Sequence, residues 1–327
     1  MRYIIHGAGG IGAGIGARLD QHGHEVILIA RGEHLARILT KGLTVRTPEE
    51  TFTAQIQAVD HPSEIAFRED DVVFLTTKVQ DAEAALNDLR TSAGPDIPVI
   101  CAQNGVDSER MAARRFRRVY AMLVMMPAVF LEPGEVILHG TPLSAWLDAG
   151  RYPHGIDSLI EQVCNDISSS RMIARPDQKP MRIKYAKLLA NLNNAVDALV
   201  GHESRRGQVL QEIIKEANSC FTAAGIEVAP QDELTERRSA AFTLGEISGY
   251  DRPGTSSWQS LARGRGIEVD FLNGEIVLLG AQHGIPTPYN RAVQILAHAM
   301  ALKGTNPGSG SETEIVDMAN KLSKSAD

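Results

Sequence analysis

The fold of this 327-residue chain is specified near its beginning by Ile4-Ile5-His6-Gly7-Ala8-Gly9-Gly10-Ile11-Gly12, a glycine-rich turn that directly follows an apolar segment. Gly7 permits a tight turn, Gly9 lets backbone N–H groups approach a pyrophosphate, and Gly12 lets the following helix pack closely on the strand. The dipole of that helix favours anionic phosphates at its N-terminus. The motif therefore predicts a dinucleotide-binding turn rather than a glycine-rich turn that binds nothing. The predicted contacts to the cofactor are Gly7, Ala8, Gly9, Gly10, Ile11 and Gly12.

The first half of the chain alternates short β-branched runs with helical patterns, which is typical of parallel strands joined by crossover helices. The predicted strands cover residues 3–6, 26–30, 72–76, 99–101 and 119–124. Pro133-Gly134, followed by apolar runs at residues 136–139 and 143–147, predicts a hairpin that adds an antiparallel edge to the same sheet. We therefore expect an α/β fold with an N-terminal Rossmann-type domain over residues 1–176.

After Pro180 the pattern changes to long segments with a 3.6-residue period and almost no strand signal. The predicted helices cover residues 181–200, 204–224, 231–241, 256–264, 268–283 and 290–302. We therefore expect an all-α domain over residues 177–327. Near the end of the chain, Ser311-x-x-Glu314 is a capping box that predicts a short amphipathic helix.

Composition excludes several classes of protein. The net charge is −7, and no Lys/Arg stripe gathers on one predicted helix, which argues against a nucleic-acid partner. The longest apolar stretch, residues 119–131, contains Pro127 and is shorter than the roughly 20 residues that cross a bilayer. The first strand pattern starts at residue 2, which leaves no room for a signal peptide, and the three distant cysteines form no C-x-x-C pair. We expect a cytoplasmic protein with no membrane segment and no metal site, acting on a small molecule.

Arg31 stands where the second predicted strand ends, in Ile29-Ala30-Arg31-Gly32. An NAD site usually has an Asp or Glu there to hold the ribose hydroxyls. A guanidinium instead pairs bidentately with a phosphate and keeps its charge, so Arg31 predicts binding of the 2'-phosphate of NADP(H). The alternative is a solvated surface arginine.

Lys187 stands in an unusual setting for a lysine on an apolar helix. Lys187, Asn191 and Asn194 are spaced i, i+4 and i+7, which places them on one helical face among apolar neighbours. Reduction of a ketone by a nicotinamide needs a proton donor where negative charge develops on the carbonyl oxygen, and a lysine ammonium can serve. The alternative is a lysine that snorkels to water beside loop-capping asparagines. Downstream, Ser256 and Glu268 each open a helical pattern. Without reference to any site, Ser256 is an ordinary N-cap and Glu268 is a first-turn carboxylate that interacts with the helix dipole.

These residues together resemble the ketopantoate reductase (2-dehydropantoate 2-reductase) family over nearly the whole chain. The resemblance adds Thr77-Lys78, Gln103-Asn104-Gly105, Gly264-Arg265, Leu272-Asn273-Gly274 and the segment from His283 to Pro288. It implies a second domain like the C-terminal domain of 6-phosphogluconate dehydrogenase, and NADPH-dependent reduction of 2-dehydropantoate to pantoate, a step toward pantothenate and coenzyme A.

The resemblance also implies roles for individual residues. Lys187 matches the general acid, and Glu268 matches the glutamate that contacts a substrate hydroxyl and helps place the lysine. Ser256 matches the serine that holds the carboxylate, with Asn191 and Asn194 facing the substrate. Lys78 and Asn104 match positions that contact the cofactor or line the cleft near the nicotinamide.

Four features depart from the family pattern. The two asparagines are three residues apart rather than four, Ser260 replaces an acidic residue, Trp258 replaces a methionine, and Ile267 stands where threonine is common. These changes reshape the wall of the pocket. They leave open a reductase of a different small 2-oxo or 3-oxo acid, a catalytically lapsed NADPH-binding protein, and, by fold analogy alone, a sugar-acid or amino-acid-derived dehydrogenase. A homodimer through the helical domain is the expected assembly.

Overall fold

A computed structural model describes residues 1–201, 207–250, 254–264 and 266–324 of the chain. The chain forms two compact units. Unit 1 comprises Met1–Lys184 and Pro230–Asp251, and unit 2 comprises Tyr185–Ala229 and Arg252–Asp327. No helix among the described residues has the length and apolar character needed to cross a membrane.

Unit 1 contains a seven-stranded sheet in the order β12-β8-β7-β6-β1-β2-β5. Its strands are β1 (Arg2–His6), β2 (Glu25–Ile29), β5 (Gln57–Val59), β6 (Asp71–Leu75), β7 (Val99–Cys101), β8 (Val119–Met122) and β12 (Ala149–Arg151). All neighbouring pairs are parallel except β12 with β8. β1 and β6 are buried along their whole length, as expected for a sheet covered on both faces. The five predicted strands are confirmed, with ends shifted by at most two residues.

Helices flank this sheet at the crossovers. They are α1 (Gly10–Gln21), α2 (Gly32–Lys41), α3 (Ala82–Ala93), α4 (Ser108–Ala113) and α5 (Ser158–Ser168). α1 directly follows β1 through the glycine-rich turn, and α3 follows β6. α1, α2, α3 and α4 therefore begin at the carboxyl edge of the parallel strands, where open α/β sheets bind their ligands.

The predicted hairpin at residues 136–147 is wrong. A second sheet has the order β4-β3-β10-β9, in which β10 (Glu135–Leu138) pairs in parallel with β3 (Leu43–Arg46). The other two strands are β4 (Thr51–Ala54) and β9 (Ala128–Val129). Residues 143–147 form no strand, and the edge of the large sheet is β12 instead. An alternating pattern identifies a strand but not its partner. Here a 2.6 Å ion pair from Arg46 to Glu135 joins β3 to β10.

Unit 1 also takes in a segment that sequence analysis assigns to the helical domain. α9 (Gln231–Ala241) is followed by β13 (Phe242–Leu244), which pairs with β11 (Gly140–Pro142). Arg237 on α9 contacts Asp148 at 2.8 Å. The predicted fold class, a Rossmann-type parallel-sheet domain followed by a helical domain, is confirmed, and β13 is a strand of unit 1 that the sequence pattern does not predict. The division into functional domains at residue 176 stays a prediction.

Unit 2 is helical. Its helices are α6 (Pro180–Asn191, which begins in unit 1), α7 (Asn193–Val200), α8 (Gln208–Ala223), α10 (Ser256–Ala262), α11 (Asn273–His283), α12 (Pro288–Lys303) and α13 (Glu312–Lys324). The predicted helix 181–200 is interrupted at Leu192, and the predicted helix 268–283 begins with a separate 3₁₀ turn, Val269–Phe271. The predicted start at Ser204 and the matched Arg265 lie outside the described residues.

The predicted capping box opens α13. The Ser311 backbone N–H donates to Glu314 Oε2 at 2.8 Å, and the Glu314 N–H donates to Ser311 Oγ at 3.3 Å. Ile315 is buried as α13 packs along α12. The C-terminal tail therefore docks within unit 2 rather than fraying.

Candidate active site

The glycine-rich turn is built so that two of its positions accept only glycine. Gly7 has φ +111°, and a Cβ there would lie 2.6 Å from the backbone nitrogen of Thr77. A Cβ on Gly12 would lie 2.4 Å from the Gly7 carbonyl oxygen. Both distances are shorter than real contacts, so the turn passes as close to the end of β6 as backbone atoms allow.

The N–H groups of this turn divide into two sets. The Gly7 and Ala8 N–H groups both donate to the Ile29 carbonyl at the end of β2, at 3.2 and 3.0 Å. They shape the turn. Gly10 begins α1, and the first N–H groups of a helix have no partner within it. Those of Gly10, Ile11 and Gly12 therefore stay the predicted donors to a pyrophosphate. A Cβ on Gly9 would meet no atom within 4 Å, which leaves open space beside the turn for a cofactor.

Two neighbouring loops brace the turn at the same edge of the sheet. Thr76 Oγ1, after β6, donates to the Gly7 carbonyl at 2.9 Å. Gln103 Nε2, after β7, donates to the Thr77 carbonyl at 2.7 Å. Lys78 and Asn104, the other predicted cofactor contacts, directly follow these bracing residues and are half-buried. The fold thus gathers these predicted cofactor contacts at the carboxyl edge of one sheet.

Arg31 lies at the same edge, directly after β2, with its side chain 68% exposed. Its Nη2 is 3.8 Å from Asp88 Oδ2, and His61 Nε2 is 3.6 Å from the same oxygen. Beneath them, the last residue of β1, His6, is buried, and burial followed by the charge of Arg31 lowers its pKa to about 4. The 2'-phosphate role of Arg31 stays a prediction.

Sequence reasoning missed a buried ion pair in unit 1. Lys184 Nζ lies 2.5 Å from Glu109 Oε1 and donates to the Gln103 carbonyl at 3.0 Å. Both charged side chains are almost fully buried. The pair therefore fixes the loop that carries Asn104. The only signal in the sequence is a lysine three residues before Lys187 on an apolar helix.

A histidine beside the glycine-rich turn was also missed. His34 on α2 accepts a hydrogen bond at its Nδ1 from the Gly134 backbone N–H at 2.9 Å, and its ring packs against Phe130 at 4.6 Å. Burial lowers the pKa of His34, and a hydrogen bond to the Ala8 backbone opposes this shift. The imidazole therefore joins α2 to the turn at residues 133–134.

In unit 2, the interruption after α6 organises the predicted substrate residues. Lys187 is half-buried on α6, Asn191 ends that helix, and Asn194 lies in the first turn of α7. The Leu192 carbonyl, exposed by the interruption, accepts from Asn273 Nδ2 at 3.3 Å. Asn273 is fully buried and belongs to the Leu272-Asn273-Gly274 segment. The helix break and the segment after Glu268 are thereby joined.

Two of the predicted substrate-binding residues, Ser256 and Asn194, contact each other. Asn194 Nδ2 donates to Ser256 Oγ at 3.3 Å. The N-cap of α10 is Thr255, whose Oγ1 accepts from the Trp258 N–H and donates to the Asn194 carbonyl at 3.2 Å. Capping is therefore done by the preceding residue, and the reading of Ser256 as an N-cap is wrong.

Asn191 and Glu268 are the most buried members of the predicted set, at 8% and 5% exposure. Among the described residues, Asn191 Nδ2 has no hydrogen-bond partner. A buried amide donor without a partner is costly unless a ligand completes it. Glu268 directly precedes the 3₁₀ turn. The pairing of Lys187 with Glu268 stays a prediction.

A parallel sheet with a G-x-G-x-x-G turn, followed by a helical unit that carries a lysine and buried amides, defines a two-part NAD(P)-dependent dehydrogenase. The chain belongs to the ketopantoate reductase PanE/ApbA family. The family model matches residues 3–152, and the model of the family's C-terminal part matches residues 180–301.

Several relatives cover almost the whole chain. The 2-dehydropantoate 2-reductase of Archaeoglobus fulgidus is 28% identical over 303 residues, which is 90% of this chain and 95% of the relative. That of Pyrococcus horikoshii is 26% identical over 312 residues, 91% of this chain and 97% of the relative.

Solved structures give the same picture. A PanE/ApbA family ketopantoate reductase from Ralstonia eutropha JMP134 superposes with a TM-score of 0.79 at 28% identity, covering 93% of this chain and 99% of that one. D-mandelate dehydrogenase with NADH and anilino(oxo)acetate has a TM-score of 0.78 at 24% identity, with the same coverage, and shares the fold.

Proposed function

We propose that this chain is an NADPH-dependent oxidoreductase that reduces 2-dehydropantoate to pantoate. Membership of the ketopantoate reductase family and the names of its relatives support this activity. The observation that carries the assignment to this chain is the polar set in unit 2. There the Asn194 amide meets the Ser256 hydroxyl, and the buried Asn191 amide nitrogen is left for a ligand.

The residues at the carboxyl edge of the sheet fit the cofactor. The N–H groups of Gly10, Ile11 and Gly12 would hold the pyrophosphate, and the exposed guanidinium of Arg31 would pair with the 2'-phosphate. Lys78 and Asn104 would line the cofactor farther along the sheet edge. NADPH supplies the hydride when it is bound.

Unit 2 would supply the proton and hold the substrate. Lys187 would donate a proton to the keto oxygen as negative charge develops there, and a carboxylate such as Glu268 would keep the amine charged until that moment. Ser256 and the two asparagines would hold the substrate carboxylate and hydroxyl by hydrogen bonds from their uncharged hydroxyl and amide groups. Fixing the oxo acid in this way lowers the entropic cost of reaching the transition state.

The assigned acid is tested by Lys187→Ala. We expect kcat for ketopantoate to fall by about 10²- to 10⁴-fold, the usual contribution of a general acid, while the Kd for NADPH stays within about threefold. Lys215→Ala is the matched control, because Lys215 is an exposed lysine on α8 whose nearest carboxylate is Glu212 at 3.3 Å. If Lys187→Ala turns over as fast as Lys215→Ala, the mechanism is wrong.

A second candidate keeps the reaction and changes the oxo acid. Ser260, at the position where the family has an acidic residue, is buried and donates its hydroxyl back to the Ser256 carbonyl at 3.0 Å. That hydroxyl is used within α10, so the pocket wall lacks the family's charge at this point. A panel of 2-oxo acids separates the candidates. If ketopantoate has no higher kcat/KM than simple pyruvate analogues, the second candidate replaces the first.

Assembly and location remain predictions. We propose a homodimer that acts in the cytoplasm, where the three buried free cysteines would stay reduced. Light scattering should give twice the 35.4 kDa chain mass.

A further inference from the structure

One acidic side chain lies at the predicted 2'-phosphate site without being explained by it. Asp88 projects from α3 and places one carboxylate oxygen, Oδ2, 3.8 Å from Arg31 Nη2 and 3.6 Å from His61 Nε2. The sequence predicts no acidic residue here, because the end of β2 carries Arg31 in place of the Asp or Glu of NAD sites. The fold brings a carboxylate to the same place from a different element.

The contacts of His61 show which of its nitrogens faces Asp88. The Ser63 backbone N–H donates to His61 Nδ1 at 3.1 Å, and the Ser63 hydroxyl lies 2.7 Å from the same nitrogen. Because Nδ1 accepts, the neutral ring carries its proton on Nε2, which is the atom directed at Asp88. Two donors, His61 Nε2–H and the Arg31 guanidinium, therefore converge on one oxygen.

All three side chains are partly open to solvent. Arg31 is 68% exposed, while His61 and Asp88 are 39% and 37% exposed. At this exposure the ion pair contributes little to folding stability. The groups can therefore be substituted without disturbing the sheet, and Arg31 can exchange its carboxylate partner for a ligand.

We propose that Asp88 determines the cofactor specificity of this site by accepting a hydrogen bond from the 2'-hydroxyl of NADH and by repelling the 2'-phosphate of NADPH. The inference rests on the proposed function in one respect, namely that Arg31 marks the position of the adenosine ribose. The chain then carries both determinants, a guanidinium for the phosphate and a carboxylate for the hydroxyl. It binds both cofactors, with a narrower preference for NADPH than Arg31 alone would give.

The electrostatics set the direction and size of the effect. A 2'-phosphate beside Arg31 lies within a few ångströms of the Asp88 carboxylate, where like charges at a partly solvated site repel enough to weaken binding roughly fivefold to thirtyfold. A hydroxyl has no such penalty, and its hydrogen bond to an ionised acceptor strengthens binding by about threefold or more. Removing the charge of Asp88 should therefore move the two affinities in opposite directions.

The test is the pair of dissociation constants for NADPH and NADH, measured by nicotinamide fluorescence on the full chain without any oxo acid. For Asp88→Asn we expect tighter binding of NADPH and weaker binding of NADH, so that the ratio Kd(NADH)/Kd(NADPH) rises about tenfold or more. Asp96→Asn is the matched control. Asp96 forms a 2.8 Å pair with Arg117, is 67% exposed, and precedes β7 at the opposite edge of the sheet, so the ratio should not move.

The outcomes separate this inference from the proposed function. An unchanged ratio in Asp88→Asn, or a parallel gain for both cofactors, overturns the specificity role of Asp88 even if the enzyme reduces ketopantoate. Arg31→Ala should weaken the binding of NADPH sharply and the binding of NADH hardly at all. Equal losses for both cofactors there overturn the ribose position and the Asp88 role with it. A failure to reduce any oxo acid counts against the proposed function alone, because the binding ratio does not depend on turnover.

Discussion

His6 is a buried histidine at the carboxyl edge of the sheet, where the predicted cofactor contacts lie. It is 2% exposed, it ends β1, and its Nδ1 has no hydrogen-bond partner among the described residues. Burial is the largest cause that lowers its pKa, from 6.5 to about 4, and Arg31 adds to the shift while Asp88 opposes it. Protonating His6 in the folded state would place a charge in the core beneath the site.

The lowered pKa of His6 predicts a loss of stability in acid. The unfolded chain binds the proton below pH 6.5 and the folded chain only near pH 4, so the free energy of unfolding falls as pH decreases across this window. The full shift corresponds to about 3 kcal/mol. Urea titrations at pH 7 and pH 4.5 should show wild type losing about 2 kcal/mol more than His6→Gln, which cannot titrate. Equal losses in the two proteins would mean that the pKa of His6 is the same in the folded and the unfolded chain.

At the level of single residues, the sequence identifies chemistry better than it identifies contacts. Gly7 and Gly12 were predicted from backbone geometry that only glycine tolerates, and the observed close approaches explain why the motif is so informative. The pair of Lys184 with Glu109, and the meeting of Arg31 with Asp88, join residues more than fifty positions apart. No local pattern encodes such a pairing, since a charged residue on a helix is usually only solvated.

The break between α6 and α7 is held by one amide. Asn273 donates to the Leu192 carbonyl at 3.3 Å and to Asn290 Oδ1 at 3.1 Å. Sequence analysis expects one continuous helix here, because all of residues 181–200 keep a helical period. The shortened spacing between Asn191 and Asn194 coincides with the break. The hydrogen bond from Asn273, which lies outside the helix, therefore stabilises the break.

Asn273→Ala should destabilise unit 2 and loosen the substrate residues. It leaves the Leu192 carbonyl and the Asn290 side chain without this donor in a buried place, which costs about 2 to 4 kcal/mol of unfolding free energy. Asn218→Ala, an exposed asparagine on α8, should change it by less than about 0.5 kcal/mol. Urea denaturation measures both. Because the break separates Asn191 from Asn194, the KM for the oxo acid should rise in Asn273→Ala and not in Asn218→Ala. An unchanged free energy of unfolding in Asn273→Ala would show that water replaces the amide.

The sequence predicts the strands that are buried on both faces, because such strands are continuous apolar runs. It does not predict the short strands that are only partly buried. β1, β6 and β7 are such runs. β3 and β4 alternate buried and open positions over only four residues each, which is too short to distinguish from a loop. β13 pairs with β11 across about a hundred residues, so its place in unit 1 depends on a tertiary contact that local sequence does not contain.

At the scale of the molecule, the sequence predicts an α/β region followed by a helical one, and the structure divides the chain differently. Residues 230–251 return to unit 1, where α9 and β13 pack and Arg182 forms a 2.8 Å pair with Glu233. A change in hydrophobic periodicity shows whether a segment forms a helix or a strand, but not which core that segment joins. That choice depends on where the apolar face of each segment finds its partners.

The C-terminal helix shows how such a choice is made and can be measured. Ile315 and Ala319 on α13 are each 1% exposed where the helix packs along α12, although a Gly/Pro/Ser-rich segment precedes it. Burying Ile315 and Ala319 removes apolar surface from water, and this burial together with the capping box favours the docked helix. The tail is therefore part of the core of unit 2 and not an appendage.

Ile315→Ala should lower the free energy of unfolding by about 2 to 4 kcal/mol, because it leaves a cavity between α13 and its neighbours. Leu302→Ala is the matched control, because Leu302 lies in the last turn of α12 and is 88% exposed. This substitution should change the free energy of unfolding by less than about 0.5 kcal/mol. Urea denaturation compares them, and limited proteolysis should release the tail first in the Ile315 variant. If the two substitutions cost the same free energy of unfolding, α13 is not packed against α12 in solution.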